Sequence, residues 1–434
     1  MEENSTAKAA ENGRVIGLDC HPDTFTAALV QGKTPAEAVV QKVFNKVPLQ
    51  QLSAWAKKHL NLDDQVVLEA SGNSFHVARR LRAQGYCAQV LESGQLGKLK
   101  EAHANNDRIS AVRIAKAFLA GTAKIVWIPD AKTQERRDVM HAHRKAVKRH
   151  TQMINRLDSY LSDNGVRLEL SLKQLDGPTA LGQLGQLKEW SATQWSIIES
   201  FMTELQAAGQ ARQKWEQVMA LDVINDPLLL SLTRLCGVRH ITAFAFGAIV
   251  GDVTRFKRPK SLVNYLGLHP CFDDSGNDQW SGGVGGHGRQ DLRSLLIEAA
   301  QCILRTNTPL AQWGHKLMAR KASRNLAAAA VARKLAVAAW YLLQGKWEGL
   351  RDIDLCLRLK IGRILAKISQ ETLKNMGKNR KTLRQQIEQS LKSGRVYQLD
   401  PQLQSEAKPK LPSKANLRPK VKATTLAQEY GLKD

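Results

Sequence analysis

The stretch RVIGLDC, residues 14–20, is an apolar run that ends next to an acid, and it decides the fold of the first part of the chain. Short runs rich in β-branched residues follow it: TFTAALVQ at 24–31, VVQKVF at 39–44, QVVLEA at 65–70 and YCAQVLE at 86–92. Helical patterns lie between some of these runs, and this alternation is typical of a sheet flanked by helices. Residues 14–129 are therefore predicted to form an α/β domain with a mixed sheet.

Three acids fall at the ends of these elements. Asp19 ends the first apolar strand, Glu69 ends another, and Asp107 opens the helix DRISAVRIAKAFL. Carboxylates brought together repel one another unless a cation neutralises them, so the sequence predicts a Mg²⁺ (or Mn²⁺) site. Two such ions about 4 Å apart can activate an attacking oxygen and stabilise a leaving one in phosphodiester chemistry. Each acid alone also has a structural explanation, and Asp107 can simply cap its helix.

The middle of the chain, from residue 131 to about 220, is predicted to be helical. Apolar positions and one histidine recur at steps of three and four, as in a coiled-coil seam: Val147, His150, Ile154, Leu157 and Leu161. A second helix is predicted to fold back antiparallel through four apolar residues: Ile198, Phe201, Met202 and Leu205. An ordinary helical bundle is the alternative, and it differs in where the seam finds its partner.

Residues 235–270, LCGVRHITAFAFGAIVGDVTRFKRPKSLVNYLGLHP, resemble a helix-hairpin-helix. The pattern predicts a short helix, a tight glycine turn and a second helix. Such a turn presents backbone N–H groups to a phosphate and therefore suits sequence-independent binding of a nucleic-acid backbone. A plain αα-hairpin is the alternative.

Residues 269–300, HPCFDDSGNDQWSGGVGGHGRQDLRSLLIEAA, form a glycine-rich basic stretch that leads into a helix. Glycines permit close backbone approach and the cations supply charge near the helix N-terminus, so four residues are predicted nucleic-acid contacts: Gly286, His287, Arg289 and Arg293. Ser275 precedes Gly276, which on pattern alone is typical of a turn. A serine hydroxyl becomes a nucleophile only with help from a base or a metal.

Composition adds a strong electrostatic constraint. The 434 residues carry a formal net charge of +24, and an excess of this size favours a polyanionic partner, with a merely basic soluble or membrane-peripheral protein as the alternative. The six cysteines include no CxxC pair and are expected to be reduced and mostly buried. A polar N-terminus and no stretch of about 18 apolar residues predict an intracellular protein without a membrane span. Residues beyond about 360 are rich in Lys and Arg, and a frayed basic extension is expected there.

Several motifs in a fixed order resemble the DEDD-type transposases of insertion-sequence family one-ten, which include Piv-like invertases and bridge-RNA-guided serine recombinases. The N-terminal motifs are GLDCHPD at 17–23, VLEASG at 67–72 and NDRISAVRIA at 106–115. The C-terminal motifs are LCGV through YLGLHP, DDSG at 273–276, HGRQDLRSLLIEAA at 287–300 and AVARKLAVAAWYLL at 330–343. The resemblance covers roughly residues 14 to 345.

The resemblance implies the domain organisation. We expect an α/β domain of the RNase H-like (RuvC-like) type, a helical coiled-coil middle, and a mainly α-helical transposase domain with the helix-hairpin-helix-like segment. The predicted boundaries are 1–13 for a disordered N-terminus, 14–129 for the RNase H-like domain, 130–225 for a coiled-coil dimerisation region, 226–347 for the serine-bearing domain and 348–434 for the basic extension.

The resemblance also implies roles for individual residues. Asp19, Glu69 and Asp107 match the first three metal-binding acids, and Ser275 matches the nucleophilic serine. The family usually reads DxxDA after the third acid, whereas here Ser110 stands where the last aspartate is expected. A hydroxyl is a weaker Mg²⁺ ligand than a carboxylate, so either three acids suffice or catalysis is impaired. Arg333 and Lys334 in the last motif are further candidate contacts to nucleic acid, with a solvated helix face as the alternative.

The mechanism that the resemblance implies is strand exchange through a covalent phosphoserine, without ATP, in a bacterial cytoplasmic, nucleoid-associated enzyme. Its expected partners are donor and target DNA, a structured bridge RNA that reads sequence by base pairing, and further copies of the chain as a dimer that assembles into a tetramer. Two other functions remain open at this point. One is a metal-dependent nuclease or junction resolvase without a serine nucleophile, and the other is a non-catalytic nucleic-acid-binding protein.

Overall fold

A computed structural model describes residues 13–94, 106–167, 172–175, 179–275, 278–284, 287–346, 357–375 and 377–393. The predictions of a disordered N-terminus and of a frayed C-terminal end fall on segments 1–12 and 394–434, outside the described residues. The chain forms two compact units, residues 1–132 and 133–434. Each unit has its own hydrophobic core.

Unit 1 is built on a six-stranded mixed sheet, as predicted. The strands are β1 Arg14–Cys20, β2 Thr24–Gln31, β3 Val39–Pro48, β4 Gln65–Glu69, β5 Cys87–Leu91 and β6 Ile125–Val126, in the order β3-β2-β1-β4-β5-β6. Strands β1, β4 and β5 run parallel, whereas β2, β3 and β6 pair antiparallel with their neighbours. The parallel central strands are apolar on both sides, because helices cover both faces of the sheet.

Three helices cover the two faces of this sheet. Helices α1 (Leu52–His59) and α2 (Ser74–Arg82) pack on one face, in a core that contains Leu18 and Trp55. Helix α3 (Asp107–Leu119) packs on the other face against Val15 and Val67. The N-terminus of α3 therefore lies close to the central strand β1, with which it makes extensive contact.

The middle of the chain forms two long helices in unit 2, α4 (Ala131–Asp163) and α7 (Ala192–Asn225), joined through the short helices α5 (Leu172–Leu175) and α6 (Ala180–Gly185). Ion pairs Arg136–Asp222 and Arg149–Glu204 show that the two long helices run antiparallel. Ile154, Leu157 and Leu161 of the predicted seam are buried in one cluster with three residues of α7: Ile198, Met202 and Leu205. His150 is also buried, whereas Val147 is 38% exposed. The seam thus finds its partner within the same chain.

The second half of unit 2 is mainly α-helical. Its elements are α8 Pro227–Leu232, α9 His240–Ile249, α10 Pro259–Tyr265, the strands β7 Pro270–Ser275 and β8 Asp278–Val284, and the helices α11 Gln290–Ile303, α12 Pro309–Lys321 and α13 Arg324–Leu343. The connection between α9 and α10 spans residues 250–258 and contains a 3-10 turn, Val253–Arg255, so it is longer than the predicted tight glycine turn. Pro259 begins α10, because proline suits the first turn and keeps the residue before it out of the helix.

The glycine-rich stretch, predicted as a loop, contains an antiparallel hairpin instead. Strand β7 pairs with β8 from Pro270↔Val284 to Ser275↔Asp278. Residues 276 and 277 connect the strands and lie outside the described residues. Gly282 and Gly283 belong to strand β8, so these two glycines occupy a pleated strand and not a phosphate-binding loop.

The C-terminal extension is helical over residues 357–393, contrary to the expectation of a frayed segment. It forms α14 (Leu357–Lys367), α15 (Gln370–Asn375) and α16 (Arg380–Ser393). Apolar side chains from these helices pack with Ala220 and Leu230: Ile361, Ile364, Leu365, Ile368, Leu373, Leu383 and Ile387. Buried Lys360 adds hydrogen bonds from Nζ to the carbonyls of Thr233 (2.7 Å) and Leu235 (2.9 Å). Although the segment is rich in Lys and Arg, its apolar residues recur on one helix face, and this amphipathic pattern allows the helices to pack.

Two further expectations need correction. Helix α13 is long and apolar enough to cross a membrane by length and composition, but most of it is buried among α10, α11 and α12, as in the core helix of a folded unit. Of the four cysteines with described side chains, Cys20 and Cys236 are buried, whereas Cys87 and Cys302 are exposed.

Candidate functional site

The contact of α3 with β1 depends on Gly17. A Cβ built at this position would lie 1.9 Å from the carbonyl oxygen of Ala111 and 3.0 Å from the amide nitrogen of Ala115. Only glycine permits this approach of a helix backbone to a strand. The close packing brings the first turn of α3 to the end of β1, where Asp19 lies.

Asp19, His21 and Asp107 meet at this point. Their ligand atoms all lie within 4.8 Å of one another. His21 Nε2 is 3.4 Å from an oxygen of Asp107 and 4.0 Å from an oxygen of Asp19. Helix α3 is capped by Asn106, whose side chain accepts a hydrogen bond from the amide of Ile109, so the capping role considered for Asp107 belongs to its neighbour. The carboxylate of Asp107 faces the cluster.

Glu69 lies on the neighbouring strand. Because Leu18 of β1 pairs with Leu68 of the parallel strand β4, Asp19 and Glu69 are adjacent across the sheet, where strand spacing is about 4.8 Å. Glu69 does not belong to the close group of three ligand residues. The loop after β1 is held by Asn73, whose Nδ2 donates to the carbonyl of His21 at 2.6 Å.

The electrostatics of Asp19 follow from its partial burial. Burial is the largest effect and raises the pKa of the Asp19 carboxyl, and the neighbouring charge of Asp107 also raises it. The charges of His21 and Arg113 and a hydrogen bond from Ser110 lower this pKa, but the net shift is upward. Ser110, at the position of the expected fourth acid, is buried beside Asp19 and accepts a hydrogen bond from Arg113 at 3.3 Å. A hydroxyl and a guanidinium thus stabilise the Asp19 carboxylate at the place where a further acid would repel it.

The donor set fits a divalent cation. Two carboxylates and an imidazole converge, and the buried Nε2 of His21 makes no hydrogen bond to any part of the chain that the structure describes. Carboxylates suit Mg²⁺ and Mn²⁺, and imidazole is a ligand of transition metals. The arrangement can hold a cation that offsets the repulsion between Asp19 and Asp107.

The remaining predicted site residues lie in unit 2. The backbone of Ser275 ends β7 at the tip of the hairpin. Arg293 was predicted to contact nucleic acid, but it is only 9% exposed and donates to the carbonyls of His287 (2.5 Å), Leu266 and Gly267 (3.4 Å each). Its guanidinium therefore closes the base of the hairpin, which differs from the predicted contact.

Four of the five other predicted contacts lie among the described residues of this unit. His287 is exposed, Arg289 is half-buried and pairs with Asp291 at 2.8 Å, and Gly286 lies outside the described residues. Arg333 is half-buried in α13, whereas exposed Lys334 places its ammonium 4.5 Å from the ring centroid of Trp313. Stacking on a tryptophan is one way to hold a surface cation in place.

Sequence reasoning missed His21 and Arg113. His21 follows Asp19 by two residues in GLDCHPD, a spacing that places it just beyond the strand end. Arg113 is one turn after Ser110 in α3, where an i, i+3 pair shares a helix face. Both spacings are present in the sequence, but the two residues reach Asp19 only because α3 packs closely against β1, which is a tertiary contact.

The chain is similar to a family of transposases and to several individual transposases. Residues 230–315 match the Transposase IS116/IS110/IS902 family. The chain is 26% identical over 284 residues to the "Transposase for insertion sequence element IS1111A" of Coxiella burnetii, which covers 64% of this chain and 77% of that protein. It is 25% identical to a "Probable family 20 transposase" of Pseudomonas aeruginosa (64% and 83% covered) and 22% identical to the "Transposase for insertion sequence element IS1328" of Yersinia enterocolitica (76% and 96% covered).

The family match contains the Ser275 hairpin, and the relatives extend the likeness over most of their own length. Over residues 230–315 the chain is therefore similar to the IS116/IS110/IS902 family of transposases, and over a longer stretch it is similar to individual proteins named as transposases.

Proposed function

We propose that this protein is a transposase that cuts and rejoins DNA through a covalent phosphoserine at Ser275, with a metal held by unit 1. The observation that carries the proposal is the convergence of Asp19, His21 and Asp107 at the end of β1 in a chain that is similar to a transposase family. The strand order of the sheet supports an RNase H-like assignment for unit 1.

In the proposed reaction, the hydroxyl oxygen of Ser275 attacks a DNA phosphorus and forms a serine–phosphorus bond. The bond from phosphorus to the 3′ oxygen breaks, the serine proton passes to a base, and the departing 3′ oxygen takes up a proton. A 3′ hydroxyl from another strand then attacks the phosphoserine and regenerates Ser275. Each step exchanges one phosphoester bond for another, so no ATP is required.

Asp19, Asp107 and Glu69 would hold Mg²⁺ or Mn²⁺, with His21 as an additional ligand. When bound, the metal supplies Lewis acidity at phosphoryl oxygens. Arg113 and Ser110 favour the charged form of the Asp19 carboxyl, by a positive charge and a hydrogen bond that lower its pKa against the larger effect of burial. Asn73 fixes the loop that bears His21. Three acids with Ser110 are proposed to suffice for catalysis.

A structured guide RNA encoded by the same mobile element is proposed to choose the DNA sites. The net charge of +24 supports the binding of both nucleic acids. We propose a bacterial cytoplasmic enzyme that forms dimers and assembles as a tetramer on DNA. The α4–α7 seam is filled within the chain, so a dimer would use other surfaces of these helices.

Recombination in bacteria tests the proposal. The gene with its native flanking DNA is expressed, and recombined junctions are counted by sequencing for the wild type, Ser275→Ala, Asp19→Ala and the matched control Ser281→Ala, which changes a serine of β8. Junctions are expected in the wild type and the control only. Activity that survives Ser275→Ala would favour a metal-dependent nuclease, and DNA binding without any junctions in the wild type would favour a non-catalytic protein. RNA copurified with the wild type is sequenced to test the guide.

A further inference from the structure

Helices α15 and α16 in the C-terminal part of the chain are joined by only four residues, 376–379. Gly377 adopts a left-handed backbone with φ of 64°. Its amide donates to the carbonyl of Lys374 at 2.8 Å, and the amide of Lys378 donates to the carbonyl of Leu373 at 3.0 Å, so α15 ends in a Schellman motif. Two helices joined by a turn of this length that contains glycine are the pattern of a helix-turn-helix.

The start of α16 is fixed by contacts within this group of helices. Asn379 caps α16, because its Oδ1 accepts a hydrogen bond from the amide of Thr382 at 2.8 Å. Nη2 of Arg380 donates to the carbonyl of Ile368 at 2.9 Å, which ties the first residue of α16 to the end of α14. Apolar side chains of all three helices share one cluster. The direction in which α16 leaves the turn is therefore set by the fold.

Several cations of these helices have partners in the fold. Lys367 Nζ lies 2.6 Å from Oε2 of Glu216 on α7. Arg358 and Arg384 each place Nε 3.7 Å from Oε1 of Glu388, the only acid of α16. The first pair attaches α14 to α7, and the other two attach α16 to α14. These charges therefore serve the packing of the helices.

Two lysines beside the turn have no such role. Lys378 and Lys381 are exposed, and their ammonium groups make no hydrogen bond or ion pair with any described residue. The turn and the first two turns of α16, residues 376–387, contain four cations and no acid. A local excess of positive charge of this kind attracts a polyanion.

The exposed face of α16 carries residue types that contact DNA. Leu383 and Ile387 are buried, whereas Lys381, Gln385 and Gln386 are exposed. Lysine binds phosphates or guanine, and glutamine can make two hydrogen bonds to adenine in the major groove. The major groove of B-form DNA admits an α-helix, whereas that of an RNA duplex is too deep and narrow to be read by side chains. This face therefore fits duplex DNA better than duplex RNA.

We propose that α15, the turn and α16 bind duplex DNA as a helix-turn-helix. The exposed face of α16 enters the major groove, and Lys378 and Lys381 contact phosphates at its edge. This inference goes beyond the proposed recombination reaction, because the contact requires neither Ser275 nor a metal. Since α14 is attached to α7, DNA held here is held at a fixed place on unit 2.

Binding of the full chain to duplex DNA of random sequence, at several salt concentrations and without divalent metal, tests this contact. The variant combines Lys378→Gln with Lys381→Gln. Each lost phosphate contact should make the slope of log affinity against log salt shallower by about 0.9, so the double variant should lose about 1.8. At a salt concentration of about 0.1 M this corresponds to a roughly 60-fold loss of affinity. Because both side chains are exposed and unpaired, Tm should not change.

Lys57→Gln combined with Lys58→Gln is the matched control, because it removes the same charge from two exposed lysines of α1. Its slope should equal that of the wild type. An unchanged slope in the Lys378 and Lys381 variant, or an equal change in the control, would overturn the proposal. A change on duplex RNA as large as that on duplex DNA would overturn the placement of α16 in a DNA groove.

Gln385→Glu examines the same face without removing a cation. A carboxylate placed among phosphates should weaken binding to duplex DNA roughly fivefold at low salt, because like charges repel. Glutamate suits an exposed helix position as well as glutamine does, so the helix should be retained. Unchanged affinity of this variant would place the DNA away from α16 and overturn the groove contact.

Discussion

Replacing Gly17 by alanine tests how the two halves of the candidate metal site are brought together. The added Cβ would meet the Ala111 carbonyl oxygen at 1.9 Å, whereas contacts under 3.0 Å are essentially not observed, so the two backbones must separate by about 1.1 Å. Overpacking of this kind costs about 1–3 kcal/mol, and a clash between backbones belongs at the upper end. For a unit of this size we expect Tm to fall by roughly 6–12 °C.

The same displacement moves Asp107 and Ser110 away from Asp19. Misplacement of reacting groups by about 1 Å can reduce a rate on the order of a hundredfold, so Gly17→Ala should lose recombination even at temperatures where it remains folded. The assays are thermal melting followed by circular dichroism and the count of recombined junctions. Gly72→Ala is the matched control, because nothing lies within 4 Å of a Cβ at that position. Equal stability and activity of the two variants would show that the approach of α3 to β1 does not depend on Gly17.

Three further predictions concern charge and burial. The pKa of Asp19 is raised in the folded state, so the charge on Asp19 disfavours folding above that pKa. Asp19→Asn should therefore raise Tm at pH 7 without metal and remove any rise in Tm caused by Mn²⁺. A lower metal-free Tm for the variant would contradict this expectation. Lys360→Met should lower the free energy of unfolding by about 1–3 kcal/mol, because two buried carbonyls lose a hydrogen-bond donor. Lys374→Met, at an exposed position, should change the free energy of unfolding by under about 0.5 kcal/mol. Similar losses in the two variants would argue against a stabilising role of the Lys360 hydrogen bonds. Burial lowers the pKa of His240 to about 4, so this histidine binds a proton more readily in the unfolded chain than in the folded one. The stability of the wild type should therefore fall between pH 6.5 and pH 4, and melting curves for His240→Gln should show a smaller fall. An identical fall in the variant would exclude His240 as the cause.

The sheet of unit 1 was predictable because its strands are short, apolar and bounded by polar residues. The predicted stretches RVIGLDC and TFTAALVQ coincide with β1 and β2. The carboxylates at strand ends followed from the same pattern. The participation of His21 did not follow, because it depends on how closely α3 approaches β1 at Gly17.

The C-terminal helices show a different failure of prediction. Ile361, Ile364, Leu365 and Ile368 recur at the spacing of one helix face, yet the surrounding cations made the segment look like a solvated tail. The hairpin was missed because five glycines in residues 282–288 dominated the interpretation, although Trp280 and Val284 fit strand β8. In both regions the overall composition, rich in cations or in glycines, led to the wrong prediction, although the local spacing of apolar residues indicated a helix or a strand.

Covalent trapping on DNA tests whether Ser275 is the nucleophile. The protein, with the RNA that copurifies with it, is incubated with Mn²⁺ and its flanking DNA, one strand of which is labelled. The reaction is denatured and separated on a gel, and peptides from any protein–DNA band are analysed by mass spectrometry. We expect a labelled band whose nucleotide adduct maps to Ser275. The band should be present with the wild type and Ser281→Ala and missing with Ser275→Ala and Asp19→Asn. Recombined DNA formed by Ser275→Ala, or an adduct on a different residue, would exclude Ser275 as the nucleophile.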